Sequence, residues 1–359
     1  MQYSLLSRFQ GVIAGVSLGS RLTRARLKSR SISINSQGLV NPRPQRLRDL
    51  KLYEANNTDK QLKLTRAESL VGQMTRSLTR CQGWDQTDWD RSWKQWQQDQ
   101  SQENLGIEEN SLIPDSNQES SESETTSQSL AEVALATLPL TLLFHEQPEH
   151  LTQHLQQGIE VTQESPLSLE LEQAVLTFNL AIALALREEL NPSTVLAKIS
   201  NHLDPQTDFP QQLQEVQTLM EQNVSLETAQ EQLLKSSGET VNTLKETTLV
   251  ALALYSFVSR PHDPEIALLR TLQVGQPPTV CSLLGALSGA YNSFSSFPLC
   301  WQSQLKRSTS EELVQGEILT SATELFATWS GVYKTKNSFF EIDPTLAVAA
   351  PNVIRSSQS

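Results

Sequence analysis

Beyond its first fifty positions this chain repeats one pattern, apolar residues at helical spacing, as in Leu62, Leu64, Leu70, Val71 and Met74 and again in Leu171, Val175, Leu176, Phe178, Leu180 and Ile182. The apolar–polar alternation of a half-buried strand is scarce. Val250–Phe257 has the length of a strand, but Leu249, Ala251, Leu252, Ala253 and Leu254 make it rich in residues that favour a buried helix. Helix boundaries are written in the same way. Asp263-Pro264-Glu265 places an N-cap acid ahead of a first-turn proline, and Asn191-Pro192-Ser193 reads as a stop followed by a new start. The chain is expected to be largely helical, and no internal repeat at a solenoid period is visible.

Charge divides the sequence. Across 359 residues, 28 basic and 40 acidic side chains give −12, which disfavours a general nucleic-acid binder or a partner for an anionic membrane. The first fifty residues run against that balance, with Arg8, Arg21, Arg24, Arg26, Lys28, Arg30, Arg43, Arg46 and Arg48 set against Asp49. Such a segment can mimic a transit peptide, yet Phe9, Val12, Ile13 and Val16 with Gly11, Gly15 and Gly19 form a packable helical face, so it is assigned to the folded domain. No apolar run is read as reaching the roughly 18 to 20 residues of a membrane span, because Glu132, Thr137, Pro139 and Thr141 interrupt Ala131–Phe144. The expectation is a soluble, cytoplasmic protein.

Residues 97–129 carry Asp99, Glu103, Glu108, Glu109, Asp115, Glu119, Glu122 and Glu124 without a Lys or Arg, and bury too little apolar surface to offset ordering. They are read as an acidic disordered insertion between the N-terminal part of the helical domain, 1–96, and its remainder, 130–335, with 336–359 as a tail. Just before the insertion, Trp89, Trp93 and Trp96 share one helical face and read as a core-facing anchor. Cys81, Cys281 and Cys300 show no metal or redox spacing, and a buried small hydrophobe is the ordinary use of such residues. His150 and His154 are four apart and read as a solvated face, because no third ligand stands near them.

Three segments, in order, resemble the ADP-ribosylglycohydrolase family. The first runs from Arg8 to Ser20 and is similar to that family's glycine-bearing opening helix, with Ser20 where an Asp normally follows the last glycine. The second, Asn57-Thr58-Asp59 through Leu70, resembles the Thr-Asp-Asp-Thr motif and the helix it opens. The third, Gly275 to Tyr291 followed by Phe297-Pro298 and Trp301, resembles Gly-Asp-x-Asp-Thr, a Gly-Ala-Leu-x-Gly-Ala helix and a closing Ile-Pro-x-x-Trp. Pro139-Leu140 and the helices up to Glu189 resemble the family's middle.

The resemblance implies an all-α, orthogonal multi-helix bundle holding two magnesium ions in a cleft, where ADP-ribose is hydrolysed from a modified side chain or a related glycosidic bond. Carried over position by position, the implied metal ligands become Asn57, Thr58 and Asp59, then Gln276, Pro278 and Thr279. Only Asp59 and Thr279 keep the family residue. Magnesium is a hard ion that leans on carboxylates, and of four carboxylates in the family set one remains here. Asp59 also suits an ordinary first-turn acid, and Thr279 suits a helix cap.

The preferred expectation is therefore a catalytically inactive binding or regulatory module without a cofactor, whose cleft takes an ADP-ribose-like or adenine nucleotide ligand or a protein partner. The alternatives are an active hydrolase with a rearranged site, using magnesium or Asp59 as general base, and an interaction protein whose acidic insertion recruits a basic partner.

Overall fold

The structure is a computed structural model and describes residues 3–35, 64–108, 130–162, 168–201, 203–236, 246–306 and 316–331. Within them the chain forms α1 (Leu5–Asn35), α2 (Arg66–Cys81), α3 (Gln86–Glu108), α4 (Leu130–Ala136), α5 (Leu138–Phe144), α6 (Pro148–Thr162), α7 (Leu169–Leu186) and α8 (Val195–Ser200). There follow α9 (Phe209–Glu221), α10 (Leu226–Ser236), α11 (Glu246–Ser259), α12 (Pro264–Val274), α13 (Pro278–Asn292), a 3-10 turn (Phe294–Ser296), α14 (Leu299–Lys306) and α15 (Gly316–Ser330). Among the described residues no strand is present.

The basic opening is the centre of this bundle. From Arg8 to Thr23 every residue of α1 except Gln10 is buried, which is the signature of a helix enclosed on all sides. Its longest contact is with α13, and small residues make that contact possible. Gly11 faces the Gly289 carbonyl, Gly15 that of Gly285 and Gly19 that of Cys281, so the two helices run antiparallel with a step of one turn between contacts. A Cβ added at any of the three would fall inside van der Waals distance of backbone atoms, which no side-chain rotation can relieve.

Several polar residues on α1 tie other helices to it, and others are satisfied within the helix. Arg8 donates to the Ala185 carbonyl (2.6 Å) and to Glu188 Oε1 (2.7 Å) at the end of α7. Thr23 donates to the Gly19 carbonyl one turn back. A second buried polar knot joins α5 to α7, where Thr141 donates to Asn179 Oδ1 (2.7 Å) and Asn179 Nδ2 donates to Thr137 Oγ1 (3.0 Å). Satisfied in this way, the three side chains fix the register of the helices rather than charge the core.

Several features read from sequence stand as expected. Val250–Phe257 lies inside α11, Asp263 stands at the N-cap position of α12, although its side chain makes no capping hydrogen bond, and Trp89, Trp93 and Trp96 are all buried. Trp89 packs where Gly158 of α6 leaves room, and Arg66 lies over the Trp96 ring, 4.9 Å from its centroid. Three expectations need correction. The acidic segment does not begin as irregular chain: α3 continues to Glu108, because Gln and Glu are good helix formers that prolong a helix already started by the tryptophan face. Residues 109–129 and 336–359 lie outside the described residues. The expectation that no apolar run reaches membrane-span length is also corrected, since α7 is long and apolar enough by length and composition to cross a membrane, although 61% of it is buried among the other helices. Finally, His154 is not part of a solvated face; it is half-buried against Phe144, with ring centroids 4.3 Å apart.

His145 adds a pH-sensitive element to the core. It is buried with its Nδ1 2.9 Å from the Leu142 carbonyl, between the rings of Phe9 and Trp329. Burial pushes its pKa down to about 4, Arg187 adding to the effect and the Leu142 hydrogen bond opposing it. The folded protein thus prefers the neutral ring, and the unfolded chain binds the extra proton first. Stability from this residue is complete above the ordinary histidine pKa and is lost as pH falls from about 6.5 towards about 4. A His145→Phe variant should flatten that part of the urea-midpoint profile against pH, by up to about 3 kcal/mol at its acid end. The glycine contact gives a second test: Gly15→Val should cost about 3 kcal/mol or more in denaturant unfolding, whereas Gly72→Ala, with only the Arg76 side chain 3.9 Å away, should gain about 0.5–1 kcal/mol.

Candidate functional site

The α1–α13 contact decides which chain ends meet. With Gly19 against Cys281, residues 20–26 of α1 lie alongside the head of α13. Arg26 completes the attachment by donating to the Gln273 carbonyl (2.9 Å) at the end of α12. The start of α2 is brought to the same stretch of α1. Ser20 Oγ and Thr65 Oγ1 share a hydrogen bond of 2.8 Å, and Thr65 forms a capping box with Glu68, whose Oε2 accepts from the Thr65 backbone N–H (2.7 Å). The other oxygen of Glu68 accepts from Ser17 and from the Arg21 guanidinium, all three residues being buried.

This buried ion pair was not read from the sequence. Its local signal is the pattern Thr65-x-x-Glu68, which marks a helix start, but nothing local shows that Arg21, 47 residues before Glu68, would be its counter-charge. The pair takes two charges out of water, so its gain lies more in fixing α2 on α1 than in net stability.

At the head of α13 the three carried-over positions have separate fates. Gly275 closes α12 with φ of 89°, a left-handed conformation that glycine adopts without strain, and the Gln276 N–H then returns to the Thr271 carbonyl (3.3 Å). Pro277 is the N-cap residue and Pro278 opens the helix. Thr279 therefore sits within the first turn, half-buried, and the expectation that it caps the helix is corrected: two prolines occupy the positions ahead of it. Pro278 is exposed and has no side-chain oxygen. Gln276 is 3% exposed, and among the described residues neither its Oε1 nor its Nε2 has a hydrogen-bond partner. Asn57, Thr58 and Asp59 lie outside the described residues.

The chemistry of this donor set does not fit a pair of magnesium ions. The turn before α13 and its first residues contribute one buried neutral amide, one proline and one threonine hydroxyl, with no carboxylate to balance two adjacent dications. Glu68, the buried acid nearby in the fold, is already neutralised by Arg21. Among the described residues no group of three or more His, Cys, Asp or Glu side chains converges as a metal ligand set. Cys281 offers no replacement nucleophile, since burial pushes its thiol pKa up to about 11. Two surface depressions, of about 430 and 590 Å³, are lined by residues other than Gln276, Pro278 and Thr279.

An all-α bundle built around a glycine-lined helix pair, with the starts of two further segments gathered at one end, defines the class of protein. The model of the ADP-ribosylglycohydrolase family matches residues 1–332, and the chain belongs to that family. A solved structure of an ADP-ribosylglycohydrolase-related protein complex shares the fold with a TM-score of 0.55, at 16% identity, over 90% of this chain and 99% of that one. No protein of curated function matches the chain.

The unpaired Gln276 amide gives a direct test. A buried carboxamide without partners forfeits its hydration, and an apolar side chain of similar shape does not. Gln276→Met should raise stability by about 1–2 kcal/mol in denaturant unfolding. A loss of similar size would mean that the amide is hydrogen-bonded in solution.

Proposed function

We propose that this chain is a binding or regulatory member of the ADP-ribosylglycohydrolase family that has given up metal-dependent hydrolysis. The observation that carries this reading is the head of α13, where a buried amide, an exposed proline and a lone threonine stand at the positions that match the metal ligands. A paired-metal site needs anionic oxygen to hold its ions and to activate water, and these residues supply none. The packing motifs around them are intact. Core patterning and catalytic ligands are separate demands on a sequence, so a scaffold can be kept for binding after its ligands have changed.

On this reading the cleft takes an ADP-ribose-like or adenine nucleotide ligand, or a protein partner, with no cofactor. A protein partner is the reading to which the similar solved structure, itself of a protein complex, lends support. The net charge of −12 argues against nucleic acid, and three cysteines without disulfide spacing suit a reducing, cytoplasmic setting. Calorimetric titration with Mg²⁺ and Mn²⁺ should give no binding tighter than about millimolar, beside an assay on ADP-ribosylated arginine and serine peptides that gives no metal-dependent release. Turnover abolished by a chelator would overturn the proposal. Turnover that survives chelation and falls in Asp59→Asn would establish instead a metal-free hydrolase using that carboxylate.

A further inference from the structure

Where α5 gives way to α6, two imidazoles and two aromatic rings meet near the surface. His150 and His154 are four residues apart in α6, so their side chains emerge from one face, one turn apart. Their rings are inclined by only 30°, with centroids 6.3 Å apart. His150 is exposed, while His154 is half-buried and held. Phe144 lies against the His154 ring, and Trp84, in the turn leading into α3, is 5.7 Å from it.

The hydrogen bonding of His154 also fixes which nitrogen is available. Its Nδ1 is 3.2 Å from Gln157 Oε1, and since a carboxamide oxygen only accepts, Nδ1 carries the proton. The lone pair is then on Nε2. One ring nitrogen held by a hydrogen bond, with the other left to donate electrons, is how proteins orient imidazole ligands for metals. A half-buried ring wedged by phenyl and indole groups has already lost most of its rotamer freedom, so less is lost on binding.

We propose that His150 and His154 chelate a divalent transition metal of the Zn²⁺ or Cu²⁺ class, with His154 as the fixed donor and His150 as the adjustable one. The present ring separation is wider than a closed chelate with metal–nitrogen bonds of about 2.0–2.1 Å, and rotation of the exposed His150 closes it. Imidazole nitrogen suits these borderline ions and not magnesium. Among the described residues no third His, Cys, Asp or Glu joins the pair, so water or a partner's side chain fills the remaining positions. The inference does not depend on the state of the cleft, which involves other helices.

The test uses the full-length chain, free of any affinity tag and stripped of metal, titrated with Zn²⁺ by calorimetry. One equivalent should bind, at least tenfold more weakly in His150→Gln and in His154→Gln, and unchanged in His262→Gln. Cu²⁺ should quench tryptophan fluorescence in the wild type and much less in Trp84→Phe, because Trp84 lies beside the donor ring. Circular dichroism of each variant separates lost binding from lost fold. A wild-type affinity within tenfold of that of the His150→Gln/His154→Gln double variant, with helical content unchanged, would overturn the proposal.

Discussion

Two helices touching through their backbones set the geometry of everything else in this protein. Gly11, Gly15 and Gly19 of α1 meet Gly289, Gly285 and Cys281 of α13 with no side chain between them. An approach of this kind gains dispersion and weak Cα–H···O contacts over a long seam, and it has one register, because a shift of a single residue brings a side chain against a carbonyl. Once it forms, α1 is fixed in the centre, and its polar residues select the helices around it: Arg8 takes the end of α7, and Ser17, Ser20 and Arg21 take the start of α2.

That same seam explains the family likeness of the fold. The glycines are enforced by steric contact along the whole helix pair, and any larger residue costs the fold. The residues at the head of α13 answer to no such demand. Pro278 faces solvent, Thr279 is held in the first helical turn, and Gln276 is packed away without a partner. The buried Arg21–Glu68 pair gives α2 its own counter-charge within the chain.

How much of this was written in the sequence depends on whether the signal is local. The glycine spacing, the tryptophan face of α3 and the Asp263-Pro264 start are periodicities or dipeptides, and the structure realises each of them. Arg21 and Glu68 were not legible as partners because their pairing is a tertiary event between helices. The burial of Gln276 was hidden for a similar reason: its neighbours Gly275 and Pro277 announce a turn between helices, and turns are usually exposed. Thr279 misled because it stands before an apolar run as a cap would, while the prolines ahead of it had already taken the cap and first-turn positions. His154 was assigned to solvent from its spacing with His150, since the ring of Phe144 reaches it from a different helix.

The proposed separation of fold from ligand chemistry is tested most directly by anomalous diffraction from crystals grown with Mn²⁺, an ion of the same oxygen-seeking character as Mg²⁺. The structure should reproduce the Gly15–Gly285 contact and show no manganese peak bonded to Thr279 or to any residue of 57–59. A pair of peaks there, with Thr279 and Asp59 among the ligands, would contradict it.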